Sequence, residues 1–294
     1  MPREMPAVFG SRVRSQQPYN ANFHLHENFE LYLLIDGQLD YFVEHTCYRL
    51  TPGSLILFDN KTIHKCSNST DNPYERVTVH FHPMLARHLG TDRTNLLACF
   101  DHIPEQGCLL QLSPREVETF LSLADNIVRT KSDRTLGADV LLHAYLAELL
   151  VFVNRCFNEH KATRRQDSSG SVVSSRLRPL LEYIEDHLTE DLSLDALAAG
   201  LSVSKSTISH IFKEETGSTP SRYITTRRIA LAKHLLRSGA SVTEACMQSG
   251  FNDYANFIRV FKASTGVSPG QYKKDSFSPM PEDIAQNASP TIHK

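Results

Sequence analysis

The sequence contains one motif twice, and the two copies are offset by 49 residues. Five anchors with the spacing Phe-Lys-x3-Gly-x2-Pro-x2-Tyr occupy residues 212–223 and again residues 261–272. A repeat of this period is typical of one supersecondary unit used twice. Each copy follows a short helix signal, a turn and a second helix signal, and this order predicts two helix-turn-helix units.

In the first unit, polar residues precede two short apolar patterns. Ser193 is predicted to cap a helix with Leu194 inward, a turn follows at residues 200–203, and Ser204 caps a helix over residues 205–215. The apolar spacing turns one face of that second helix inward. The inward residues are Ile208, Ile211 and Phe212, and the outward residues are Lys205, Ser206, Ser209, His210 and Lys213.

The second unit repeats the plan. Ser241 and Glu244 have the spacing of a capping box, Met247 is assigned to the apolar face, and Gly250 makes the turn. Asp253 is predicted to cap a helix over residues 254–264. Its inward residues are Phe257, Val260 and Phe261, and its outward residues are Tyr254, Asn256, Arg259 and Lys262.

A longer helix is predicted between the two units. It begins at Thr219-Pro220, reaches about Arg237 and stops at Gly239. With about 18 residues at 1.5 Å each, its length is roughly 27 Å. Paired helix-turn-helix units read half-sites about 34 Å apart, so this helix suits two second helices that enter successive major grooves.

The charge distribution agrees with contact to a polyanion. The whole chain of 294 residues has a net charge of −2. Between residues 200 and 274, however, eleven Lys and Arg stand against four Asp and Glu. A cationic region fits contact with DNA phosphates, although a solvated charged face has the same composition.

Length and composition disfavour several other classes. The chain is long enough for two domains, and its 40% hydrophobic and 22% charged residues are typical of a soluble globular protein. No apolar run approaches the length of a membrane span, and the N-terminal residues lack the apolar core of a secretory signal. The six scattered cysteines indicate reduced thiols and a cytoplasmic location.

The predicted fold class is α+β. Strands are predicted at residues 31–35, 40–43, 54–58 and 76–81, which indicates an antiparallel sandwich or barrel. Ser113-Pro114 then begins a helix, and a more apolar helix spans about 137–157. The apolar stripe of the latter is either core or a dimer interface, and it comprises Leu141, Leu142, Tyr145, Leu146, Leu149, Leu150 and Val153.

Composition also divides the chain into segments. The predicted N-terminal domain covers residues 1–160, with its helices at about 114–157. A polar, Ser-rich linker covers 161–175, the helical domain covers 176–275, and a disordered tail covers 276–294.

Residues 176–275 resemble the C-terminal domain of the AraC/XylS family of bacterial transcription regulators. The resemblance covers about a third of the chain and rests on the repeated anchors, on Leu194-x2-Leu-Ala198, and on Gly250-Phe-x-Asp253-x3-Phe257 before the second copy. It implies an all-helical domain of two helix-turn-helix units joined by a long helix. In that family the two second helices enter successive major grooves of DNA.

The resemblance also implies which residues contact bases. The positions that match base-contacting positions of the family are Ser206, Ser209 and His210 in the first unit, and Tyr254, Ala255, Asn256 and Arg259 in the second. The predicted DNA-binding set also includes Lys205, Lys213 and Lys262. Arg suits a bidentate bond to guanine and Asn a bond to adenine, so the second unit is expected to discriminate bases more strongly. For each residue, a phosphate contact or simple exposure is the alternative.

The N-terminal domain resembles the cupins. The matching patterns are His24-x-His26-x3-Glu30-x6-Gly37 and His64-x3-Asn68. Residues 59–61 depart from the Pro-x-Gly that cupins carry before the later histidine. In metal-binding cupins, the equivalents of His24, His26, Glu30 and His64 hold Fe, Mn, Ni or Zn, and a strand is expected to present the first two on one face.

Three roles remain open for this cluster. It can hold a divalent metal, border a small-molecule pocket, or consist of structural, hydrogen-bonded histidines. Further candidates to line such a pocket are Tyr32, Tyr41, Phe58 and His80.

Together these features predict a transcription regulator whose cupin-like barrel senses a small molecule, such as a sugar, and mediates homodimerisation. Its expected partners are double-stranded DNA, the effector and, for an activator, RNA polymerase. The alternative is a metal-dependent cupin enzyme with an accessory helical domain, although no acid–base pair lies in clear register with the metal motif. We therefore predict no catalytic residues, and no cofactor apart from the metal described above.

Overall fold

The computed structural model describes residues 8–15, 23–24, 26–43, 46–67, 73–101, 109–160 and 176–277. The predicted linker, Asn68, Cys108 and the predicted tail beyond residue 277 lie outside the described residues. All five described cysteines are free thiols.

The described N-terminal residues form the strands β1 (Val8–Ser15), β2 (Phe29–Asp36), β3 (Leu39–Val43), β4 (Thr46–Leu50), β5 (Ser54–Phe58), β6 (His64–Ser67), β7 (Tyr74–Phe81) and β8 (Leu109–Gln111). These strands make two antiparallel sheets, with the strand orders β1-β7-β2-β5-β8 and β4-β3-β6. The predicted antiparallel α+β class is confirmed.

Strand β2 lies between β5 and β7 and is buried on both faces. Leu31 and Leu33 join a core that the larger sheet shares with helices, whereas Tyr32 and Leu34 join a second core between the two sheets. Burial of both faces explains why the apolar run of β2 is continuous and not alternating.

The strands at the sheet edges were not predicted from the sequence. β1 and β8 border the larger sheet, and β4 and β6 border the smaller one. An edge strand has fewer buried positions and tolerates charges such as Arg12 and Arg49, so its apolar signal is weak. The expectation of one strand carrying His24 and His26 is wrong, because His24 forms only an isolated bridge with His64.

Within the described residues, four helices follow or interrupt these strands: α1 (Pro83–Leu89), α2 (Ala98–Asp101), α3 (Pro114–Thr130) and α4 (Ala138–Glu159). Ser113 caps α3 in a full capping box with Glu116. In α4, Leu146 and Leu150 are fully buried in the core, whereas Leu141 is 47% exposed. Most of the predicted stripe is therefore core.

By length and composition alone, α4 is the one helix of the described residues that could cross a membrane. Its apolar residues pack in a core with α3 and the larger sheet. A buried core helix has the same composition, so this property is weak grounds for a membrane span.

The described residues of the C-terminal part form helices joined by short turns and loops, with no strand among them. Its helices are α5 (Arg178–Asp186), α6 (Leu194–Leu201), α7 (Lys205–Thr216), α8 (Pro220–Arg237), α9 (Val242–Gln248), α10 (Tyr254–Thr265) and α11 (Pro269–Phe277). The predicted caps are confirmed, since Ser193, Ser204, Ser241 and Asp253 each accept a bond from a first-turn N–H.

Helix α8 joins the two units by contributing to both cores. Tyr223 and Ile224 pack in the core of the first unit, and Ala232 and Leu236 pack in the core of the second. One continuous helix therefore connects the two units directly.

Some local predictions were wrong. Leu194 is 39% exposed and Met247 is 64% exposed, so neither belongs to a core. Gly200 lies within α6, and the turn is made by Ser202 with a φ of 54°. Helix α11 continues to Phe277, two residues into the predicted tail.

Candidate functional site

Helices α7 and α10, the reading helices, each turn a polar face to solvent. On α7, Lys205, Ser206, His210 and Lys213 are exposed and Ser209 is half-buried. Two acids lie beside this face, because Lys205 pairs with Asp195 and His210 Nε2 lies 3.4 Å from Glu214 Oε2. The first reading helix therefore offers short hydroxyls and partly neutralised cations.

The second reading helix differs in its chemistry. Its predicted contact residues are all exposed, and they are Tyr254, Ala255, Asn256, Arg259 and Lys262. Arg259 Nη2 donates to Asn256 Oδ1 at 2.7 Å. Among the described residues, no carboxylate pairs with Arg259 or Lys262, so both cations remain available for a polyanion.

Several C-terminal cations are used inside the protein. Arg227 pairs with Glu185, and Arg228 donates to the carbonyls of Leu188 and Glu190. Lys233 and Arg237 both pair with Glu27 of the N-terminal part. The count of eleven bases in the sequence therefore overstates the charge available to DNA.

The two units pack directly on one another. Gly250, in the turn before α10, has a φ of 83°. A Cβ on this residue would lie 2.8 Å from Leu188 O and 2.9 Å from the Cα of Thr189. Glycine is therefore needed both for the left-handed turn and for the close approach of the first unit.

In the N-terminal part, the predicted histidines converge on one buried carboxylate, that of Glu30. Its Oε2 lies 2.9 Å from His26 Nε2 and 3.6 Å from His64 Nε2, and its Oε1 lies 3.7 Å from His80 Nε2. The His24 ring lies 4.4 Å from that of His64. We name these five residues the histidine–glutamate cluster.

Backbone carbonyls orient two of these imidazoles. His26 Nδ1 donates to Asn28 O at 2.7 Å, and His64 Nδ1 donates to Thr62 O at 3.0 Å. Both Nε2 atoms consequently face Glu30. His64 Nε2 is buried and has no hydrogen-bond partner among the described residues.

The charges of the cluster are coupled. Burial raises the pKa of Glu30, but the hydrogen bond from His26 and the nearby His64 and His80 outweigh burial and hold this pKa below its usual value. Burial lowers the pKa of His26, yet its bond to Glu30 leaves that pKa raised. Burial keeps the pKa of His80 low. The cluster thus contains an ionised carboxylate surrounded by imidazoles.

The donor set fits a divalent transition metal. The ligand atoms of His24, His26 and His64 lie within 4.8 Å of one another, and so do those of His26, Glu30 and His80. Imidazole nitrogens with one carboxylate suit such ions, and the carbonyl bonds to Nδ1 are the outer contacts that metal-binding histidines usually have.

Part of the cluster also borders a cavity of about 200 Å³. The cavity is lined by Ser11, His24, Glu30, Tyr32, Tyr41, Cys66, Arg76, Thr78 and His80. The Arg76 guanidinium lies 5.6 Å from the centroid of the Tyr32 ring. Hydroxyl, guanidinium, imidazole and carboxylate groups at one cavity suit a small polar molecule.

The structure brings His24, His26, Glu30 and His64 together and adds His80. Tyr32 and Tyr41 line the cavity, whereas Phe58 stacks on His64 with a centroid distance of 4.1 Å. The lining residues that the sequence analysis missed are Ser11, Cys66, Arg76 and Thr78. Alternation along β7 could have found two of them, because Arg76, Thr78 and His80 share one face.

Two known families match separate parts of the chain. The AraC-like ligand binding domain matches residues 6–150, and a helix-turn-helix domain matches residues 197–275. These matches contain the cavity and both reading helices. The chain belongs to the AraC family. Members of this family are transcriptional regulators, so the alternative of a cupin enzyme is not supported.

Curated relatives match over part of their length. The chain is 30% identical over 135 residues to the HTH-type transcriptional activator RhaS of Klebsiella pneumoniae strain 342, which covers 46% of this chain and 48% of the relative. It is 40% identical over 121 residues to RhaS of Escherichia coli strain SE11, and this match covers 41% of this chain and 43% of the relative. The chain spans about half the length of the curated relatives that it matches.

Solved structures align weakly. ToxT from Vibrio cholerae O395 is 13% identical and covers 93% of this chain and 99% of its own, with a TM-score of 0.38. The C-terminal domain of the response regulator yesN from Fusobacterium nucleatum is 28% identical over 34% of this chain and 99% of its own, with a TM-score of 0.33. These scores are too low to carry an argument about this chain.

Proposed function

We propose that this AraC-family protein binds duplex DNA through α7 and α10 and activates transcription in response to a small molecule in its N-terminal cavity. The main observation in support is that one helix, α8, joins two units whose reading helices both expose polar faces. The relatives named above are transcriptional activators, which favours activation over repression.

The two reading helices are proposed to contribute unequally. Arg259 and Asn256 have the donors and acceptors for bidentate contacts with guanine and adenine. On α7, Ser206 and Ser209 are short, and His210 lies beside Glu214. We therefore expect an asymmetric DNA site whose bases are specified mainly in the groove that α10 occupies.

The effector is proposed to be a small, hydroxyl-rich molecule such as a sugar. Glu30 can accept bonds from ligand hydroxyls, and Arg76 can donate to ligand oxygens at the same cavity. A ligand changes DNA binding only if it binds two arrangements of the protein unequally. A thermal-shift screen of sugars and related polyols against the full chain identifies ligands of this class.

A divalent metal is the second candidate for the cluster, favoured by the unpartnered His64 Nε2. His24, His26, Glu30 and His64, with His80 close by, would hold it, and the metal would supply fixed positive charge there. Elemental analysis of the purified protein distinguishes the candidates. Stoichiometric iron, manganese, nickel or zinc that is lost in Glu30→Gln supports the metal, and its absence supports the polar molecule.

Further partners follow from the same proposal. Leu136, Val140 and Leu141 are exposed apolar residues at and just before the start of α4, and such a patch suits a homodimer contact. An activator also requires contact with RNA polymerase, and we place this activity in the cytoplasm.

The proposal is tested by selection of DNA from a random duplex pool with the full chain, followed by fluorescence anisotropy. Affinity for the selected DNA should fall steeply between low and moderate salt, because phosphate contacts release counterions. The double variant Arg259→Ala, Lys262→Ala should bind far more weakly. A matched control, Arg93→Ala with Arg134→Ala, removes two exposed cations elsewhere and should bind as the wild type does.

Two outcomes contradict the proposal. One is a failure of the wild-type chain to enrich any sequence. The other is an affinity that responds neither to salt nor to loss of Arg259 and Lys262.

A further inference from the structure

The last anchor of the repeat has a different kind of partner in each unit. In the first unit, the Tyr223 hydroxyl donates to Glu185 at 3.1 Å, and Glu185 lies in the same unit. In the second unit, the Tyr272 hydroxyl donates to Glu27 at 3.1 Å, and Glu27 belongs to the N-terminal part. The second unit therefore takes from the N-terminal domain a carboxylate that the first unit supplies itself.

In each unit, basic side chains pair with the carboxylate that accepts the tyrosine bond. Arg227 pairs with Glu185 in the first unit. In the second, Arg237 Nη1 lies 3.1 Å from Glu27 Oε2, and Lys233, which is 3% exposed, pairs with the same carboxylate. Since an ammonium buried without a counter-charge is unfavourable, the second unit depends on Glu27 to keep Lys233 in place.

The N-terminal domain also contacts the first unit. Lys65, on β6, is fully buried and donates to the carbonyl of Thr216 at the C-terminal end of α7. The Phe23 ring lies 5.0 Å from that of Tyr223. A cation at a helix C-terminus is favoured by the helix dipole, so Lys65 anchors the end of the first reading helix.

One domain thus has an anchor on each unit. Lys65 contacts the first unit, and Glu27 contacts the second. Neither anchor covers a reading face, because the outward residues of α7 and α10 stay exposed or half-buried with both contacts present. Two anchors on one rigid sheet domain can therefore fix the two units relative to each other while leaving them open to DNA.

Each anchor is a direct chain neighbour of a cluster residue. Glu27 follows His26, and Lys65 follows His64. The two segments are also joined by backbone bonds, from His24 N to His64 O at 3.1 Å and from His64 N to His24 O at 3.2 Å. Contacts that hold the imidazoles of His24, His26 and His64 together therefore also position Glu27 and Lys65.

We propose that Glu27 and Lys65 form a clamp that sets the relative position of the two reading helices, and that an occupant of the histidine–glutamate cluster tightens this clamp. DNA that spans two successive grooves then binds more tightly to the occupied protein. The proposal rests on the proposed function and specifies how the N-terminal site controls it.

The test compares two duplexes in anisotropy titrations with the full chain. One carries the complete selected site, and the other keeps only the groove that α10 contacts. Glu27→Gln, which is nearly isosteric, should weaken binding to the complete site by at least about fivefold and leave the single-groove duplex unchanged. Arg237→Gln, which breaks the clamp from the other side, should behave in the same way and add little to Glu27→Gln.

A matched control is Glu75→Gln, which breaks the pair of Glu75 with Arg12 at 2.7 Å, away from the clamp. It should bind both duplexes as the wild type does. Circular dichroism melts of every variant establish that each is folded. Equal affinity of wild type and Glu27→Gln for the complete site overturns the clamp, and so does an equal loss on both duplexes.

Coupling to the cluster is tested by a double-mutant cycle between Glu27→Gln and His24→Asn, a conservative change at an exposed cluster residue. The His24 variant should weaken binding to the complete site when Glu27 is present and have no effect when Glu27 is replaced. Independent, additive effects overturn the coupling. If the wild type binds no DNA, the proposed function itself has failed. That result differs from loss of the clamp and from loss of its coupling to the cluster, because in both of those cases the wild type still binds DNA.

Discussion

The Tyr272 hydroxyl lies 3.1 Å from both carboxylate oxygens of Glu27 and donates its hydrogen bond to that carboxylate, and this contact joins the last anchor of the sequence repeat to the N-terminal domain. The repeated tyrosines therefore share a position in their units but not a structural role. The Tyr223 hydroxyl bonds within its own unit, whereas the Tyr272 hydroxyl connects two domains.

Replacement of each tyrosine by phenylalanine should separate these roles. Loss of either hydroxyl bond, whose acceptor is a carboxylate, is expected to lower the free energy of unfolding by about 1.5–3 kcal/mol. Only Tyr272→Phe should speed hydrogen exchange of the backbone around Glu27, because only that variant removes a hydrogen bond to the Glu27 carboxylate. Exchange there that rises equally in Tyr223→Phe would show that the contact is not specific to Tyr272.

Base discrimination should reside largely in Arg259. Arg259→Ala is expected to weaken binding to the selected site by about 1–3 kcal/mol and to relax the preference at one base pair. The measurement is a competition series in which each base pair of the site is varied. Ser206→Ala on α7 is the comparison, and it should change the preference less because its hydroxyl can bond to several bases.

Lys262 should act through phosphate. Lys262→Ala is expected to weaken binding to all sequences alike and to reduce the slope of log affinity against log salt by about 1. Anisotropy titrations over a range of salt concentrations give that slope. An unchanged slope, or a loss confined to one base pair, would contradict this role.

Gly250 should be intolerant of a side chain. In Gly250→Ala, the left-handed conformation alone costs roughly 1–3 kcal/mol, and the new Cβ would meet Leu188 O at 2.8 Å. Urea unfolding of the full chain measures this loss. Gly270→Ala, where no atom lies within 4 Å of the added Cβ, is the control and should be neutral or slightly stabilising.

Acid should destabilise the N-terminal domain through Glu116. Burial raises its pKa, but bonds from Ser113 and His160 outweigh burial and lower the pKa to about 2. A carboxyl with a depressed folded-state pKa stabilises the fold above its unfolded value, which is about 4.3, and this stabilisation is lost as pH falls towards 2. Wild type should therefore lose more thermal stability than Glu116→Gln between about pH 5 and pH 3.

The control for this prediction is Glu118→Gln, at an exposed position on the same helix. Its melting temperature should follow that of the wild type over the same pH range. A Glu116→Gln variant with the wild-type pH dependence would rule out Glu116 as the origin of the effect.

Local signals predicted the C-terminal elements well because each signal acts within a few residues. Ser204 and Asp253 cap helices through bonds to N–H groups three positions away. Such bonds form wherever the chain becomes helical, so they can be predicted without knowledge of the fold. Edge strand β1 was missed because its pairing partners, such as Val79 opposite Gly10, lie far away in sequence.

The same distinction applies to charge and to the N-terminal site. In the sequence, Lys233 and Arg237 were counted with the cations available to DNA, yet both bond to Glu27, about 200 residues earlier. The cluster residues His24, His26, Glu30 and His64 came from a spacing pattern. His80 was predicted only as a pocket-lining residue, and Arg76 was not predicted at all; the pairing of β7 with β2 places both at the site.

The sequence by itself determined the two helix-turn-helix units, their caps and the outward chemistry of α7 and α10, because helical periodicity and capping are short-range properties. The tertiary structure alone decided which cations remain free, which residues close the cavity, and that Glu27 completes the second unit. Those outcomes depend on contacts between residues distant in the chain, and only the folded backbone brings such residues together.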